Sequence, residues 1–500
     1  MTGPMTGPTT GPTWASDPLA RNDGRPWDLL IVGGGTAGLV AAQTAAGFGA
    51  RVLLVERERT GGDCLWTGCV PSKSLLAAAH VAAEARNGER LGVSVGSVSV
   101  DFDAVMAHVH DAIATIAPID SPEHLREAGV SVAQATVRFT GRGRADVDGT
   151  EVRFDQALLA TGSAPVVPDL PGLRDCDPLT SDTVWDLSEL PSRLLVLGGG
   201  PIGCELGQAL ARLGSRVTVV EAGDRLLSRE TAAASAAVLR SLEHDGVDVR
   251  VGVSLERAEP YSGGLIAHLD NGDHVEADRV LVAVGRRPRT ADLGLELLGV
   301  DLDDRGFVTV DARLRTSNPR VWAAGDLTGH PPFTHVAGVH GSLAASNAVL
   351  GLRRAVAPDL VPRVTYTQPE VAAFGLSPDD APDDHLVRTI EHTEVDRAVA
   401  EASTDGHSSL VFDGKGRVVG ASIVGPRAGE MLAEAMLAGQ GGERARTIAG
   451  AMHAYPAWSD GVWKAALAQA RTDLDGPVVS RLTRTLARVR RGWVRRTGRG

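Results

Sequence analysis

The chain has 500 residues, which is too long for one hydrophobic core and favours about three domains of ordinary size. Hydrophobic residues make up 43% of the sequence and charged residues 22%, the values of a globular protein. A formal net charge of −12 argues against general nucleic-acid binding, and four cysteines are too few for a disulfide scaffold, so we expect a reducing, cytoplasmic setting.

The first segment, residues 1–26, is rich in proline, glycine and threonine and begins with Thr-Gly-Pro repeats. It has neither the basic region nor the apolar region of a signal peptide, so it is predicted to be a disordered leader. Elsewhere no apolar run reaches the roughly 18 residues that a membrane-spanning helix needs. The sequence therefore predicts a soluble protein.

A dinucleotide-binding pattern follows the leader. An apolar strand at residues 27–32 runs into Gly33-Gly34-Gly35-Thr36-Ala37-Gly38 and an alanine-rich helix, and a second strand, residues 51–55, ends at Glu56. Gly33 permits the tight turn, Gly35 lets the backbone approach a pyrophosphate, and Gly38 permits close packing of helix on strand. Glu56 lies 18 residues after Gly38, where an acid is expected to bind a ribose.

The segment at residues 61–73 carries two of the four cysteines, Cys64 and Cys69. Residues five apart in a regular helix rise about 7.5 Å, whereas a disulfide needs Cα atoms within about 7 Å. The turn between the cysteines must therefore be distorted, and Gly68 makes this easier. A helix N-terminus and Lys73 nearby favour a thiolate. These features predict a redox-active dithiol beside a nucleotide cofactor.

The dinucleotide-binding pattern recurs from residue 193. A strand at residues 193–197 leads into a second glycine turn, and the strand at residues 216–220 ends at Glu221, again 18 residues after the last glycine. Two nucleotide sites beside a dithiol imply an electron relay. Because Glu221 accepts a ribose 2′-hydroxyl and repels a 2′-phosphate, NADH is favoured over NADPH, although Arg225 lies close by. The residues assigned to this site are Gly198, Gly200, Pro201, Ile202, Gly203 and Glu221.

Later segments complete the pattern. Two short strands ending in glycine, residues 157–162 and 280–286, are interpreted as the crossings into and out of the second nucleotide-binding domain. Another strand, residues 321–326, ends in Gly-Asp, where an acid can bind the ribityl chain of a flavin. From about residue 362, strands alternate with alanine-rich helices, which indicates a separate α+β domain.

At this point the sequence resembles the class I flavin-dependent pyridine nucleotide-disulfide oxidoreductases, which include dihydrolipoyl dehydrogenase, glutathione reductase and mercuric reductase. The resemblance rests on Cys-x4-Cys-Val-Pro-Ser-Lys, both glycine patterns, Ala-Thr-Gly, Gly-Asp and Pro-Arg-Val-Thr-Tyr-Thr-Gln-Pro-Glu at residues 362–370, and covers residues 27–472. It implies an α/β fold with two Rossmann-type domains, for FAD and NAD(P)H, and a C-terminal α+β dimerisation domain. It also implies a homodimer in which each active site is completed by the partner subunit.

The implied division of the chain is an FAD-binding domain in two parts, an NAD(P)-binding domain inserted between them, a dimerisation domain and a tail. The limits are residues 1–26 (leader), 27–160 and 286–361 (FAD), 161–285 (NAD(P)), 362–475 (dimerisation) and 476–500 (arginine-rich tail).

The resemblance also assigns roles to single residues. It makes Cys69 the charge-transfer thiol against the flavin, Cys64 the interchange thiol that meets the acceptor, and Lys73 with Glu205 an ion pair beside the flavin N5. The FAD contacts implied, besides Gly33, Gly35, Gly38 and Glu56, are Gly62, Lys73, Ala135, Thr161, Gly162, Asp326 and Thr334. For the nicotinamide nucleotide they are Val253, Gly285 and Arg286, together with the second glycine pattern. No metal-binding site is predicted.

The C-terminal region departs from the family's His-Pro-x-x-x-Glu motif, in which the histidine is the acid–base of disulfide exchange. Here Tyr455 precedes the proline and Asp460 replaces the glutamate. A tyrosine is roughly 0.1% ionised at pH 7, so it is a poor base but a good hydrogen-bond donor. Mercuric reductases also carry tyrosine at this place. They normally add a vicinal cysteine pair and an N-terminal metal-binding domain, both of which this sequence lacks.

Three functions remain open. The favoured one is a mercuric-reductase-like flavoenzyme that reduces a thiophilic metal ion or another non-disulfide acceptor. The second is a dihydrolipoyl-dehydrogenase-like or small-disulfide reductase in which His453 replaces the missing base. The third is a quinone-reducing or redox-sensing flavoprotein.

The tail is strongly basic, since residues 481–500 hold eight arginines and no acid, which leaves −20 for residues 1–480. Arginines alternate with apolar residues at helical spacing, which predicts a short basic amphipathic helix. A solvated tail is the favoured interpretation. The alternatives are contact with an anionic membrane surface or with the acidic body of the same protein.

Overall fold

A computed structural model describes residues 25–357, 360–475 and 477–498. Residues 1–24 of the predicted leader lie outside the described residues, as do Gly476, Arg499 and Gly500 of the predicted tail.

The strands of the described residues follow in chain order. They are β1 (Trp27–Val32), β2 (Val52–Glu56), β3 (Ser131–Gln134), β4 (Val137–Gly141), β5 (Arg144–Val147), β6 (Thr150–Leu159), β7 (Ser163–Pro165), β8 (Arg193–Leu197), β9 (Arg216–Glu221), β10 (Asp248–Val251), β11 (Leu255–Tyr261), β12 (Gly264–Leu269), β13 (His274–Ala277), β14 (Arg279–Val282), β15 (Arg286–Pro288), β16 (Val321–Ala323), β17 (Arg363–Thr365), β18 (Glu370–Gly375), β19 (Leu386–Glu391), β20 (His407–Phe412) and β21 (Val418–Gly425).

The α-helices of the same residues are given next, also in chain order. They are α1 (Thr36–Gly47), α2 (Gly62–Trp66), α3 (Cys69–Arg86), α4 (Phe102–Ile116), α5 (Pro122–Glu127), α6 (Pro201–Leu213), α7 (Ala232–His244), α8 (Leu295–Leu298), α9 (Thr334–Leu350), α10 (Asp396–Ala400), α11 (Ala428–Gln440), α12 (Ala445–Gly450), α13 (Asp460–Asp475) and α14 (Pro477–Thr497).

The first sheet has the strand order β3-β2-β1-β6-β5-β4, with β16 added beside β6. Strands β3, β2, β1, β6 and β16 are parallel, whereas β4 and β5 form an antiparallel extension. Successive residues of β1 enter opposite cores: Leu30 packs in one apolar cluster and Ile31 in another. Burial on both faces explains why the last four residues of this strand, 29–32, are all apolar. The cofactor-binding edge of a parallel sheet lies at the carboxyl ends of such strands.

The second nucleotide-binding unit contains a parallel sheet of order β10-β9-β8-β14. An antiparallel meander, β11-β12-β13, packs against this sheet. The two crossing segments leave the sheets as β7 and β15, which pair with each other antiparallel. This pairing brings the end of the first sheet and the exit of the second together. Residues that are distant in sequence therefore meet at the crossing.

The C-terminal unit is an antiparallel sheet of order β17-β18-β21-β20-β19, covered by helices α11 and α13. Its apolar core joins Phe374 and Phe412 of the sheet to Trp458 before α13. The fold class predicted from the sequence, with two Rossmann-type units and a C-terminal α+β unit, is confirmed. In the part of the chain that the structure describes, no helix combines the length and apolar character needed to cross a membrane.

Candidate active site

The two glycine turns have the same geometry. Gly33 and Gly198 both adopt a positive φ, of 106° and 108°, which a residue with a side chain rarely adopts. A Cβ on Gly38 would lie 1.9 Å from the Gly33 carbonyl oxygen, and one on Gly203 would lie 1.9 Å from that of Gly198. Each third glycine is therefore required because the helix starts directly against the turn.

The carboxylates at the ends of β2 and β9 are held in matching positions. Glu56 accepts hydrogen bonds from the Gly34 amide at 2.6 Å and from the amide two residues beyond Glu56 at 2.8 Å. Glu221 accepts the equivalent bonds from Gly199 and from the amide two residues beyond it, both at 2.6 Å. Both acids are thus fixed beside a glycine turn, with acceptor capacity left for a ribose hydroxyl.

The two nucleotide-binding units also match just after the next strand of each sheet, β3 in the first and β10 in the second. The Ala135 amide donates to the Glu56 carbonyl at 2.9 Å, and the Val253 amide donates to the Glu221 carbonyl at 3.1 Å. Ala135 lines a cavity next to the first turn. The two residues that the resemblance assigned to different nucleotides therefore occupy equivalent places in the two units.

The dithiol lies across a break between two helices. Helix α2 ends at Trp66 and α3 begins at Cys69, so the cysteines belong to different helices, which confirms the distorted turn. A Cβ on Gly68 would lie 2.8 Å from the Asp63 carbonyl oxygen, which shows how tightly the chain folds back. Both cysteines are free thiols, and both open into the cavity.

The two thiols are electrostatically unequal. A hydrogen bond from Cys64, a second from Thr334 and the charge of Lys73 lower the pKa of Cys69 to about 6, although burial opposes this. The Thr334 hydroxyl lies 3.1 Å from the Cys69 sulfur. The same hydrogen bond to Cys69, together with burial, raises the pKa of Cys64. The negative charge of the reduced pair therefore resides on Cys69.

An ion pair flanks the thiolate. Lys73 donates to Glu205 at 2.9 Å, and the other oxygen of Glu205 accepts from the Tyr366 amide at 2.9 Å. The Lys73 ammonium also lies 4.3 Å from the centre of the Tyr366 ring. Because Glu205 is only 8% exposed, its charge requires these partners. The pair fixes a cation one helical turn from Cys69.

A polar cluster beneath the first glycine turn includes Arg286. Its guanidinium donates to Ser163 at 2.7 Å and forms an ion pair with Asp63, and the Ser163 hydroxyl donates to Asp326 at 2.7 Å. The resemblance assigns Arg286 to the nicotinamide nucleotide, and this assignment stays a prediction. Arg286 reaches the cluster because β15 pairs with β7 at the crossing, and it lines the same cavity as Pro201 and Ile202 of the second glycine pattern.

Sequence reasoning missed several members of this cluster. Arg289 pairs with Asp63 at 3.5 Å and with Asp182 at 3.7 Å. Burial, followed by the charge of Asp63, raises the pKa of Asp182, and the two arginines oppose this rise. Asp63 stands inside the dithiol motif, so an acid next to Cys64 was a signal in the sequence. Asp182 lies in a loop and has no recognisable motif.

One cavity of about 1680 Å³ joins these parts. It extends from Glu56, past the dithiol, to Tyr366 and helix α11. The predicted residues that line it are Gly33, Gly35, Glu56, Gly62, Cys64, Cys69, Lys73, Ala135, Thr161, Gly162, Pro201, Ile202, Glu205, Arg286, Asp326 and Thr334. The residues present fit an extended dinucleotide such as FAD, because a Cβ on Gly62 would fall 2.6 Å from the Gly35 Cα and the paired glycines keep this end of the cavity open. In this chain Gly38, Gly198, Gly200, Gly203, Glu221, Val253 and Gly285 are not among the lining residues.

The C-terminal candidates lie apart from the dithiol of their own chain. Tyr455 is 72% exposed and donates a hydrogen bond to Asp396, which raises the pKa of Tyr455. His453 bonds Glu434 through Nε2 at 2.8 Å and the Ala451 carbonyl through Nδ1 at 3.0 Å. Asp460 is buried at the first turn of α13. Neither Tyr455, His453 nor Asp460 is among the lining residues of the cavity in this chain.

Replacing Thr334 by alanine is expected to raise the pKa of Cys69 by about one pH unit, because a hydrogen bond to a charged sulfur is lost. The site lowers the pKa of Cys69, so in the wild type the reactive thiolate is present above about pH 6 and is protonated below it. In the variant, protonation of the thiolate should already occur at a higher pH. Alkylation of the reduced enzyme by iodoacetamide, followed by peptide mass spectrometry across pH, measures the shift. The matched variant Thr334→Ser keeps a hydroxyl and should retain the low value; equal pKa values in all three proteins would contradict the assignment.

Comparison with known proteins agrees with this architecture. The sequence profile described as pyridine nucleotide-disulphide oxidoreductase matches residues 27–341, and the profile of the family's dimerisation domain matches residues 361–466. The chain is 37% identical over 442 residues to a mercuric reductase of Streptomyces lividans, covering 86% of this chain and 93% of that protein. It is 34% identical over 444 residues to a dihydrolipoyl dehydrogenase of Geobacillus stearothermophilus, with the same two coverages of 86% and 93%.

Solved structures show the same fold. LpdA from Mycobacterium tuberculosis superposes with a TM-score of 0.81 at 27% identity, covering 88% of this chain and 98% of that one. The Cu(II) complex of the HOCl-induced flavoprotein disulfide reductase RclA from Escherichia coli gives 0.79 at 25% identity, covering 88% and 99%. The family uses FAD and NAD(P)H, and its dimerisation domain supports a homodimer. The chain therefore belongs to the pyridine nucleotide-disulphide oxidoreductase family.

Proposed function

We propose that this protein is an NADH-dependent reductase of thiophilic metal ions, similar to mercuric reductase. For mercury the balanced reaction is Hg(II) + NADH → Hg(0) + NAD⁺ + H⁺. Two electrons leave the nicotinamide and both reach the metal. A soft thiolate pair such as Cys64 and Cys69 suits a thiophilic acceptor.

Each residue of the site has a separate role in this reaction. FAD, when bound, would supply two-electron transfer from NADH to the Cys64–Cys69 disulfide, which is thereby reduced to the dithiol. Cys69 holds the negative charge on the flavin side, stabilised by Thr334 and by the cation of Lys73. Cys64 stays protonated until an acceptor arrives, and then releases its proton and provides the second sulfur ligand to the metal ion. Glu205 keeps Lys73 in place.

The hydrogen bonding of His453 is the observation that carries this proposal. Nδ1 of His453 lies 3.0 Å from the Ala451 carbonyl oxygen and Nε2 lies 2.8 Å from the Glu434 carboxylate, so both ring nitrogens already face partners in their own subunit. His453 also does not line the cavity that holds the dithiol of its own chain. Tyr455, which stands where the family's base is expected, is a hydrogen-bond donor whose pKa is raised by Asp396. Disulfide exchange therefore lacks its usual base.

The similarity to known proteins also supports a metal ion as the acceptor. Mercuric reductases of Streptomyces lividans and Bacillus cereus are 37% and 33% identical to this chain. The structural relative RclA was solved as a complex with Cu(II). A one-electron metal of that kind would follow 2 Cu(II) + NADH → 2 Cu(I) + NAD⁺ + H⁺.

The nucleotide is proposed to be NADH. The Glu221 carboxylate at the second turn would repel a 2′-phosphate. Arg225, the nearby residue that would favour NADPH, instead donates to the Ser228 carbonyl at 3.1 Å. The second unit therefore presents an acid, rather than a cation, to the ribose.

We also propose the domain limits and the site residues predicted from the sequence. The two family profiles divide the C-terminal part at residues 341 and 361, near the proposed boundary between residues 361 and 362. Tyr455 and Asp460 are proposed to act in the partner subunit's site. Neither residue lines the cavity of its own chain, which supports this arrangement.

A second candidate function is reduction of a small disulfide with His453 as the base. The pairing of His453 with Glu434 is favourable to it, because an imidazole oriented by a carboxylate is the arrangement such a base uses. The dihydrolipoyl dehydrogenase relatives at 34% identity also favour it. Quinone reduction is the third alternative.

The variants Tyr455→Phe and His453→Gln separate these functions. Under the metal proposal, Tyr455→Phe lowers Hg(II)-dependent NADH oxidation about 10–100-fold through loss of one hydrogen bond to a charged group, and His453→Gln leaves it unchanged. Under the disulfide alternative, His453→Gln lowers lipoamide reduction about 10²–10⁴-fold. Anaerobic assays of both variants and the wild type with Hg(II), lipoamide and a quinone, using NADH and then NADPH, decide the question. Rapid lipoamide turnover that depends on His453 would overturn the proposal.

A further inference from the structure

Helix α14 presents an apolar stripe to solvent. Leu482, Leu486, Val489 and Trp493 follow one another at intervals of four, three and four residues, which places them on one face. They are 57%, 58%, 65% and 45% exposed. The described part of the chain therefore leaves this face without a protein partner.

The other faces of α14 are basic. Residues 477–497 contain seven arginines and neither aspartate nor glutamate. Arg484, Arg488 and Arg491 lie opposite the apolar stripe by helical spacing, and all three are exposed. Arg490 borders the stripe, with its guanidinium 4.2 Å from the centre of the Trp493 ring. The helix thus combines an apolar face, an aromatic edge and an uncompensated positive charge.

We infer that α14 is a membrane-surface anchor that binds a bilayer containing anionic lipids. Such a surface matches both faces at once: the stripe enters the acyl boundary by about 5–10 Å while the arginines meet lipid phosphates. A nucleic acid or an acidic protein surface would neutralise the arginines but leave four apolar side chains in water. An apolar groove would cover the stripe but leave the positive charge without a partner.

The net charge of the rest of the molecule supports binding through α14 alone. Residues 1–480 carry a net charge of −20, so an anionic bilayer repels the body and attracts only the tail. In the structure the arginines of α14 are exposed rather than folded onto that acidic body. With seven arginines along its length, α14 is expected to lie in the plane of the surface, where every arginine can reach lipid phosphates. The binding is independent of which acceptor the active site reduces.

Co-sedimentation of the full-length FAD-loaded protein with lipid vesicles tests this site. The vesicles contain either phosphatidylcholine alone or phosphatidylcholine with phosphatidylglycerol. Two matched double variants, Leu482→Gln/Leu486→Gln and Arg484→Gln/Arg488→Gln, change one face each and introduce the same side chains. NADH-dependent dye reduction, which uses none of these residues, verifies that each variant is folded and loaded with cofactor.

The wild type is expected to sediment with phosphatidylglycerol vesicles and to be released by salt. The arginine variant should bind about 30-fold more weakly, since each arginine near an anionic surface contributes roughly a fivefold gain. The leucine variant should lose at least about tenfold, because two apolar side chains no longer enter the acyl boundary. Equal sedimentation with phosphatidylcholine alone, no sedimentation of the wild type, or wild-type binding by the leucine variant would each overturn the inference; the last result would mean that the contact is purely electrostatic and that the apolar stripe does not enter the bilayer.

Discussion

Replacing Cys64 by serine is expected to lower Hg(II)-dependent NADH oxidation by about 10³-fold or more. Serine cannot form a disulfide with Cys69 and is a poor ligand for a soft metal. Direct reduction of a dye by the reduced flavin should survive, because it needs neither sulfur. Stopped-flow and steady-state assays of the FAD-loaded variant with Hg(II) and with a dye measure the two activities separately.

Cys176→Ser is the matched control for this experiment. Cys176 is a partly buried thiol at the end of a short 3-10 helix, where its sulfur donates to the Gly172 carbonyl at 3.2 Å, and serine can keep that bond. Both activities should match the wild type. If Cys64→Ser retained Hg(II)-dependent turnover, the dithiol would not be the route to the metal.

Replacing Arg212 by alanine is expected to lower the free energy of unfolding by about 3–5 kcal/mol. Arg212 and Asp245 are only 6% and 8% exposed and pair at 2.8 Å. The guanidinium also donates to the Gln368 side chain at 2.7 Å, and so ties α6 to the segment before β18. Its removal leaves the Asp245 carboxylate buried with Gln208 as its remaining side-chain partner. Urea denaturation followed by circular dichroism and flavin fluorescence measures the loss.

A solvent-exposed ion pair serves as the control for the buried pair of Arg212 and Asp245. Arg315 and Asp311 are 43% and 41% exposed and lie 3.4 Å apart, so Arg315→Ala should cost no more than about 1 kcal/mol. Equal losses for Arg212→Ala and Arg315→Ala would show that burial of the first pair does not matter. A difference of several kcal/mol would support its role in joining the second nucleotide-binding unit to the C-terminal unit.

The local parts of the site were predictable from the sequence. Each glycine turn, its helix and its acid lie within about 30 residues in a fixed pattern, and the structure gives both copies the same hydrogen bonds. The break between Cys64 and Cys69 followed from helix geometry alone. Patterns of this kind are set by neighbouring residues, so they can be read without knowledge of the tertiary fold.

The long-range parts were not predictable. Arg286 and Asp63 are 223 residues apart and meet only because two crossing strands pair. Arg212 and Gln368 are 156 residues apart, and Glu434 is a helical residue with no motif around it. The resemblance supplied Thr334 as a flavin contact, but only the structure shows its hydroxyl beside Cys69. Such contacts depend on how domains pack, which a single sequence does not express.

If the dithiol delivers electrons to a metal ion, elemental mercury must form, and its yield can be measured. Wild-type enzyme is incubated anaerobically with NADH, Hg(II) and excess small thiol, and Hg(0) vapour is counted against NADH consumed. The proposal predicts one Hg(0) for each NADH oxidised, with slow turnover of lipoamide under the same conditions. Absence of Hg(0) together with rapid lipoamide reduction would contradict it.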